Sequence, residues 1–239
     1  RKKNDSEKTA PHQLTLTATP IPRTLSMSVY ANMDVSVIDE LPPGRKPIQT
    51  SCLPLSGKEK LIERIFAATK KGSKVYWICP LIEESENLDL NAVMETYEDL
   101  SEYFGSSNVG CLHGKLSAKE KQNQIQAFKD SKTSILVSTT VVEVGVDIPD
   151  ADIMVIENAE RFGLAQLHQL RGRIGRGNKE SFCILMHKDK IQDISMERLQ
   201  ALVDSQDGFK IAEKDLEIRG PGEIMGAQQT GIVPMKYTN

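Results

Sequence analysis

The segment HQLRGRIGRG, His168 to Gly177, places three arginines and three glycines in a chain whose formal net charge is −3. If a helix runs through this segment, Gln169, Arg173 and Arg176 follow i, i+4, i+7 spacing and share one face. Guanidinium groups in that arrangement suit a polyanionic phosphate, because each offers a rigid fork of two donors. The alternative is a surface helix with cations near its carboxyl end, where the helix dipole favours them. The pattern alone leaves both interpretations open.

The surroundings of this segment give it a buried side and a strongly positive charge. Leu167, Leu170 and Ile174 form the opposite stripe of the projected helix, which we predict to run from about Gly163 to Gly175 and to face a sheet. The range 161–179 carries five cations and no carboxylate. These positive side chains repel one another unless they bind an anion.

The elements that would position these residues follow an alternating pattern. Between Gly44 and His187, short apolar runs typical of strands alternate with amphipathic runs typical of helices. Such alternation indicates βαβ units around a parallel sheet, whose strands are covered on both faces. The predicted fold class is therefore α/β. The predicted strands are 48–53, 74–82, 109–112, 134–139, 152–157 and 181–187.

Helix boundaries are indicated by short polar signals. Ser56 with Glu59, and Ser117 with Glu120, fit the capping-box pattern at the start of a helix. Gly72 is predicted to end the first of these helices.

Two regions flank the alternating part. Residues 1–44 contain a short strand, a turn-rich stretch and DELPPGRKP, whose Pro-Pro-Gly indicates a linker. Residues 191–239 change to short helices followed by a glycine-rich stretch. We therefore divide the chain into 1–44, 45–190 and 191–239.

Composition excludes several classes of protein. Apolar residues make up 39% of the chain, and no run approaches the length that spans a membrane. The first residues lack the apolar segment of a secretory signal. Four widely spaced cysteines, all in or beside strand-like runs, predict buried thiols in a reducing cytoplasm and make a metal site unexpected; they are Cys52, Cys79, Cys111 and Cys183.

The opening segment also carries a family resemblance. Gln169-x-x-Gly172-Arg173-x-Gly175-Arg176 resembles motif VI of superfamily 2 helicases. The resemblance implies that Arg173 and Arg176, with Gln169 beside them, act on the γ-phosphate of ATP as arginine fingers.

Other motifs appear in the order that this family requires. Thr17-Ala18-Thr19 resembles motif III, which couples the two motor lobes. VYWICP resembles motif IV, VGCLHGKL the segment after it, and SILVSTTVVEVGVDIP motif V. The resemblance implies that Gly145 and Asp147 contact the nucleotide or the facing lobe.

Three further residues are implied to contact DNA, namely Thr139, Thr140 and His113. The threonine hydroxyls suit phosphate groups, which position a strand without reading its sequence. They equally suit the N-terminus of a helix, and both roles are compatible. His113, beside Gly114, fits a hydrogen-bonded loop histidine as well as it fits a DNA contact.

Longer segments narrow the resemblance to the RecG family of ATP-dependent DNA helicases, which remodel branched DNA and stalled replication forks in recombination and repair. These segments are TATPIPRTL, DELPPGR, LIEESE, ERFGLAQLHQLRGRIGRG and DLEIRGPGEIMGAQQTG. By this resemblance, residues 1–44 are the tail of the first helicase lobe and the inter-lobe linker. Residues 45–190 are a RecA-like second lobe.

Residues 191–239 resemble the translocation motif of the same family, a helical hairpin followed by a loop. The resemblance implies that Arg198, Arg219 and Gln229 couple lobe movement to movement along duplex DNA. The alternative for Arg219 is an ion pair with Glu217 or Glu223 that only secures the glycine-rich tail.

The phosphate loop G-x-x-x-x-G-K-[ST] does not occur in these 239 residues, and no Asp-Glu pair precedes the motif III segment, where the family has its metal-binding motif. In the family both belong to the first lobe. The resemblance therefore implies the C-terminal part of a motor that uses ATP and Mg²⁺ when whole, binds them mainly through that lobe, and hydrolyses no ATP as this piece alone. We expect no cofactor and no metal in the piece itself.

The expected partners are branched or forked double-stranded DNA and the remainder of the same protein, in the bacterial cytoplasm. We expect the whole protein to be monomeric, and the apolar residues of 1–44 to allow self-association of the piece. Two alternatives remain at this point: the motor of transcription-repair coupling factor, and a non-catalytic nucleic-acid-binding module.

Overall fold

The computed structural model describes residues 14, 16, 34, 36–38, 45–80, 86–139, 151–175, 177 and 179–219, apart from the side chains of residues 86–89 and 219. In these residues the strands are β1 (Ile48–Pro54), β2 (Val75–Cys79), β3 (Val109–Leu112), β4 (Ile135–Thr139), β5 (Ile153–Ile156) and β6 (Ser181–His187). The helices are α1 (Lys58–Lys70), α2 (Glu86–Phe104), α3 (Ala118–Lys129), α4 (Leu164–Arg171), α5 (Asp193–Asp204) and α6 (Gly208–Arg219).

The strands form a parallel sheet in the order β1-β6-β5-β2-β4-β3. The strands predicted between residues 48 and 187 are all present, and the predicted α/β class is confirmed; the short strand predicted in residues 1–44 lies outside the described residues except for Leu14 and Leu16, which are not in a strand. Because every pair is parallel, the carboxyl ends of all these strands lie at one edge, which we call the carboxyl rim.

Helices cover both faces of the sheet, so the protein has three layers. Side chains alternate along β2: Val75, Trp77 and Cys79 join one core, which α1 and α2 cover. Tyr76 and Ile78 join the other core, which the remaining helices cover. Burial on both faces explains why these strands are continuously apolar.

The helix through the opening segment is shorter than predicted. Helix α4 ends at Arg171, and Gly172 follows as its C-cap. Gly175 has φ of +71°, a left-handed conformation that favours glycine, and a Cβ there would lie 3.0 Å from Ile48 Cγ1. The prediction of a helix to Gly175 is therefore wrong over its last turn, because the chain must turn sharply to pass beside β1. Arg173 lies in this turn, beyond the end of the helix that carries Gln169, and Arg176 lies outside the described residues.

One predicted capping box is confirmed and the other is wrong. At the start of α3, the Ser117 hydroxyl accepts from the Glu120 amide, and the Glu120 carboxylate accepts from the Ser117 amide. At α1, a short 3-10 turn (Leu55–Gly57) precedes the helix, whose N-cap is Gly57. The Ser56 amide donates instead to Asp189 Oδ1, at 3.3 Å, and the Ser56 side chain hydrogen-bonds the same carboxylate, so the capping box is not formed.

Helices α5 and α6 form the predicted helical hairpin and pack on the lobe. Leu199, Leu202 and Ile211 belong to the same core as Tyr76 and the other strand residues of that face. The hairpin therefore shares its hydrophobic core with the lobe. The loop predicted to follow it lies outside the described residues.

The four cysteines are free thiols, but only two of them are fully buried. Cys79 and Cys183 are buried, and burial raises the pKa of each thiol to about 12. Cys52 and Cys111 are half-buried, so the prediction is wrong for these two; burial still raises the pKa of each to about 11. All four are unreactive as nucleophiles, because the thiol form dominates at neutral pH.

Two other observations concern surfaces. Within the part of the chain that the structure describes, no helix has the length and apolar character needed to cross a membrane. Leu14 and Leu16, from the segment expected to self-associate, are 81% and 83% exposed.

Candidate active site

The turn after α4 carries Arg173 and lies beside the amino-terminal ends of β1 and β6, since a Cβ on Gly175 would lie 3.0 Å from Ile48 Cγ1 and 3.5 Å from Ser181 Oγ. The Tyr76 side chain on β2 hydrogen-bonds the Ser138 side chain on β4. Burial raises the pKa of Tyr76 to about 12, while the Ser138 hydrogen bond and the charge of Arg173 act to lower it. The charge of Arg173 therefore acts on Tyr76, the second residue of β2.

Arg173 itself is half-buried. Among the described residues, no carboxylate lies within salt-bridge distance of its guanidinium group. A fixed ion pair on the surface was the alternative to a phosphate-binding arginine, and none is formed within this part of the chain.

The backbone of the turn is held by hydrogen bonds around Arg173. The Arg173 amide donates to the Leu170 carbonyl at 2.9 Å, and the Ile174 amide donates to the Arg171 carbonyl at 3.3 Å. Arg45 Nη2 donates to the carbonyls of Gly172 and Ile174, each at 3.2 Å. The backbone of Arg173 is thus held by hydrogen bonds at the residue before it and at the residue after it.

Arg171 is almost completely buried, in contrast to the half-buried Arg173: only 3% of Arg171 is exposed. Its Nη1 donates to the carbonyls of Leu202 and Ser205, at the carboxyl end of α5, and to Thr50 Oγ1 on β1. These carbonyls have no partner within the helix, so a buried guanidinium satisfies them.

His168 completes this buried polar group. Its Nδ1 lies 3.2 Å from Arg171 Nη2 and accepts a hydrogen bond from it, since a guanidinium can only donate. Burial lowers the pKa of His168, and the charge of Arg171 lowers it further. Burial also lowers the pKa of Arg171. The pair joins α4 to the hairpin and to β1.

Sequence reasoning missed the role of Arg171, although a signal was present. On a helix, Arg171 lies one turn after Leu167 and two turns after Leu164, both of which are fully buried. The same spacing leaves Gln169 on the exposed side of α4. The three-residue set predicted on one face is thus divided: Gln169 is on the helix, Arg173 is in the turn, and Arg176 lies outside the described residues.

The end of β3 presents a positively charged group at the carboxyl rim. His113 follows β3 and is half-buried, and burial lowers its pKa, as do the charges of Lys121 and Lys115. Its Nδ1 is buried without a hydrogen-bond partner. A neutral imidazole next to two lysines is compatible with contact to a phosphate backbone.

Thr139, at the end of β4, is placed less favourably for such contact. Its side chain is 3% exposed, so its hydroxyl does not reach the surface in this conformation. The physical reason is that its position in the alternation of β4 matches Ile135 and Val137, which point into the core under α1 and α2. Thr140, the next predicted residue, lies outside the described residues.

A second polar cluster at the carboxyl rim was not predicted from sequence. Glu157 directly follows β5 and is 8% exposed. Its carboxylate pairs with Lys58 Nζ at 2.9 Å and accepts from Thr96 Oγ1 at 3.4 Å. Lys58 Nζ also lies 5.8 Å from the centre of the Trp77 ring. These contacts connect the start of α1 and the middle of α2 to the end of β5.

The other predicted residues are outside the described part or lie away from this rim. Arg198 is half-buried on α5, and its Nε is buried without a hydrogen-bond partner. Arg219 is the last residue of α6. Outside the described residues are Thr17, Ala18, Thr19, Thr140, Gly145, Asp147, Arg176 and Gln229. Among described side chains, no group of three or more His, Cys, Asp or Glu could hold a metal ion.

Two protein families match this chain. The family described as "Helicase conserved C-terminal domain" matches residues 57–178, about half of the chain. The family described as "ATP-dependent DNA helicase RecG, domain 3, C-terminal" matches residues 205–237. The two matches cover, respectively, most of the lobe and the end of the hairpin with the tail.

Curated relatives match over the whole chain. The ATP-dependent DNA helicase RecG of Haemophilus influenzae is 51% identical over 240 residues, which is 100% of this chain and 35% of that protein. The protein of the same name from Escherichia coli K12 is 52% identical over 230 residues, which is 96% of this chain and 33% of that protein. The chain thus spans about a third of the length of these relatives.

Solved structures match the fold. A structure of RecG bound to a three-way DNA junction superposes with a TM-score of 0.71 at 46% identity, covering 87% of this chain and 27% of that one. Domain 2 of the DEAD-box helicase Mss116p, bound to an RNA duplex, superposes with a TM-score of 0.50 at 20% identity, covering 66% of this chain and 60% of that one. The second likeness concerns the fold alone.

Proposed function

This chain belongs to the helicase conserved C-terminal domain family, and we propose that it forms the second motor lobe of an ATP-dependent DNA helicase of the RecG kind. The 51% identity to RecG of Haemophilus influenzae along the whole chain supports this function over the motor of transcription-repair coupling factor or a non-catalytic module. The match to the RecG domain at residues 205–237 supports the same choice.

The observation that carries the proposal is the environment of Arg173. It stands on a sharply turned and hydrogen-bonded backbone, is half-buried, and pairs with no carboxylate of the described part of the chain. Such an arginine is available for an anion that belongs to another lobe. Guanidinium groups fit the phosphate oxygens of ATP because they donate in parallel pairs.

In the proposed mechanism, the preceding lobe holds ATP and Mg²⁺. Phosphoryl transfer is catalysed mostly by positioning and by stabilising developing charge. Arg173 stabilises that charge when the lobes close, and the motif assigns Arg176 and Gln169 to the same reaction. Gly145 and Asp147 contact the nucleotide or the facing lobe, and Thr17-Ala18-Thr19 couples the lobes.

We propose that the carboxyl rim also tracks the DNA backbone. His113 with Lys115 and Lys121 forms a positively charged group there, and Thr140 contributes a hydroxyl. Contacts of this kind hold a duplex in register without selecting its sequence. Branched DNA is proposed as the substrate because the RecG structure with a TM-score of 0.71 is bound to a three-way junction. Arg198, Arg219 and Gln229 couple the lobes to translocation.

The test is Arg173→Ala in the whole helicase. We expect DNA-stimulated ATP hydrolysis to fall by about a thousandfold in kcat, the lower end of what an arginine finger supplies. Binding of a labelled three-way junction should be unchanged, because Arg173 faces the nucleotide. Arg161→Ala is the matched control, since Arg161 is an exposed cation twelve residues before Arg173 in the same basic region. Wild-type ATPase activity of the Arg173 variant would refute the assignment.

A further inference from the structure

Arg45 contacts the turn that carries Arg173 from outside the helicase motif. It is the first described residue of the predicted linker DELPPGRKP, and it lies three residues before β1 begins. One terminal nitrogen, Nη2, donates to the Gly172 carbonyl and to the Ile174 carbonyl, each at 3.2 Å. These two carbonyls belong to the residues on either side of Arg173.

We propose that Arg45 is a positioning residue for Arg173: it holds the turn in the shape that aims Arg173 at the nucleotide, and it links that shape to the inter-lobe linker. The inference rests on the proposed function, because it assumes that Arg173 stabilises the transferring phosphate.

The turn needs such a contact because its backbone is not held by a helix. Helix α4 ends at Arg171, so the carbonyls that follow lack partners within it. Both N–H groups of one guanidinium nitrogen can be used at once, one for each carbonyl. The separation of the two carbonyls is thereby fixed, and with it the backbone direction at the residue between them.

Two further contacts complete the support of the turn, and they come from the lobe itself. Arg171 secures the end of α4 to α5 through the Leu202 and Ser205 carbonyls. Gly175 passes close to Ile48, since a Cβ there would lie 3.0 Å from Ile48 Cγ1. Both of these contacts join parts of one packed core, so they are expected to stay in place when the lobes move.

Arg45 differs because it belongs to the segment that enters the lobe. DELPPGRKP was predicted from sequence as the linker, and Arg45 is its seventh residue. A change in linker direction on lobe closure therefore reaches Arg45 before it reaches β1. Positions at the end of an element commonly absorb such changes. Through Arg45, the direction in which the Arg173 side chain points therefore depends on how the two lobes are positioned relative to each other.

The chemistry of Arg45 agrees with a positioning role. It is half-buried, and its described acceptors are backbone carbonyls, with no carboxylate of the described residues within salt-bridge distance. Its planar group is preorganised for two acceptors, whereas a lysine ammonium is a flexible point charge. Arg45→Lys should therefore retain only part of the effect.

The experiment measures ATP hydrolysis by the whole helicase in the presence of a three-way junction. For Arg45→Ala we expect kcat to fall about tenfold to a hundredfold, as when a reacting group is misplaced by about 1 Å. The KM for ATP and the Kd for the junction should stay within about twofold of wild type, because ground-state binding is untouched. Lys46→Ala is the matched control: it removes the same charge from the exposed next residue and should leave kcat unchanged.

A double-mutant cycle separates positioning from general stabilisation. If Arg45 acts through Arg173, adding Arg45→Ala to Arg173→Ala causes no further loss of kcat. If the two losses multiply, Arg45 acts independently and the inference is overturned. Equal activity of Arg45→Ala and wild type also overturns it. Should Arg45→Ala fail to fold, the same cycle is run with Arg45→Lys, whose kcat is expected between those of wild type and Arg173→Ala.

Failure of this inference and failure of the proposed function are distinguishable. If Arg173→Ala retains wild-type kcat, the proposed role of Arg173 is wrong, and Arg45 has nothing to position. If Arg173→Ala is inactive while Arg45→Ala is fully active, the proposed function stands and only the inference is wrong. Amide hydrogen exchange at residues 172–175 gives a second readout, and we expect it to be faster in Arg45→Ala but not in Lys46→Ala.

Discussion

Arg171 and Arg173 are two positions apart and lie in opposite environments. Arg171 is 3% exposed and bonds to backbone carbonyls at the end of α5, whereas Arg173 is half-buried and forms no ion pair with a described carboxylate. The difference arises because α4 ends between them. A residue on the helix follows its buried stripe, while a residue in the turn takes the direction that the turn imposes.

The His168–Arg171 pair makes a pH prediction at the residue scale. Burial and Arg171 depress the pKa of His168 below its ordinary value of 6.5, which the unfolded chain retains. The unfolded chain therefore binds the proton at higher pH than the folded one. The contribution of neutral His168 to the free energy of unfolding is therefore fully present above pH 6.5. It is lost as the pH falls towards the pKa that His168 has in the folded chain.

The variant that tests this is His168→Gln, whose amide oxygen can still accept from Arg171 but does not titrate. Urea unfolding of the chain at pH 7.5 and 5.5 should show a larger loss of unfolding free energy for wild type than for the variant. His113, whose pKa is also lowered, is present in both proteins and cancels in the comparison. Equal losses in the two proteins would contradict the prediction.

At the scale of elements, two similar signals have different outcomes. Ser117 with Glu120 forms a complete capping box, because α3 begins directly after an extended residue. Ser56 with Glu59 has the same residue types, yet a 3-10 turn places Ser56 one residue too early and its amide bonds Asp189. Local pattern specified the kind of element in both cases, while contact with the loop after β6 altered one boundary.

These outcomes predict unequal effects of the same substitution. Ser117→Ala should lower the free energy of unfolding by about 1 kcal/mol, as is usual when an N-cap hydroxyl is removed. Ser56→Ala removes only an exposed contact with Asp189 and should cost less. Chemical denaturation of both variants provides the comparison. A loss at Ser56 equal to that at Ser117 would mean that both serines cap their helices in solution.

At the scale of the whole molecule, the hairpin and the lobe behave as one packed unit. Leu199, Leu202 and Ile211 share a core with the strands, and Arg171 bonds across from α4 to α5. The turn that carries Arg173 and the hairpin that precedes the proposed translocation loop are therefore attached to the same helix. In the proposed mechanism, lobe closure therefore carries both together.

This arrangement predicts that the coupling to DNA is separable from catalysis. In the whole helicase, Arg219→Ala should leave most DNA-stimulated ATP hydrolysis in place and abolish fork unwinding, because Arg219 ends α6 beyond the contacts that fix Arg173. Lys210→Ala, an exposed cation on the same helix, is the control and should retain both activities. Loss of both activities to the same extent in Arg219→Ala would indicate misfolding instead.

The amino-acid sequence by itself determined the α/β class, the strands and the motif residues. Those features depend on local periodicity and on residue types at short spacing, which are readable without knowing what packs where. The continuous apolar run of β2 and the capping box at Ser117 are clear cases. The likeness of the chain to helicases was readable for the same reason, since motifs are short and ordered.

Only the tertiary structure decided where α4 ends, which arginine is buried, and what holds the turn. Gly175 must adopt a positive φ because β1, more than a hundred residues earlier in the chain, occupies the space beside it. Arg45 bonds to carbonyls 127 and 129 residues away, and Arg171 to one 31 residues away. Contacts between residues so distant in sequence have no local signal, because they arise from the packing of elements that each form independently.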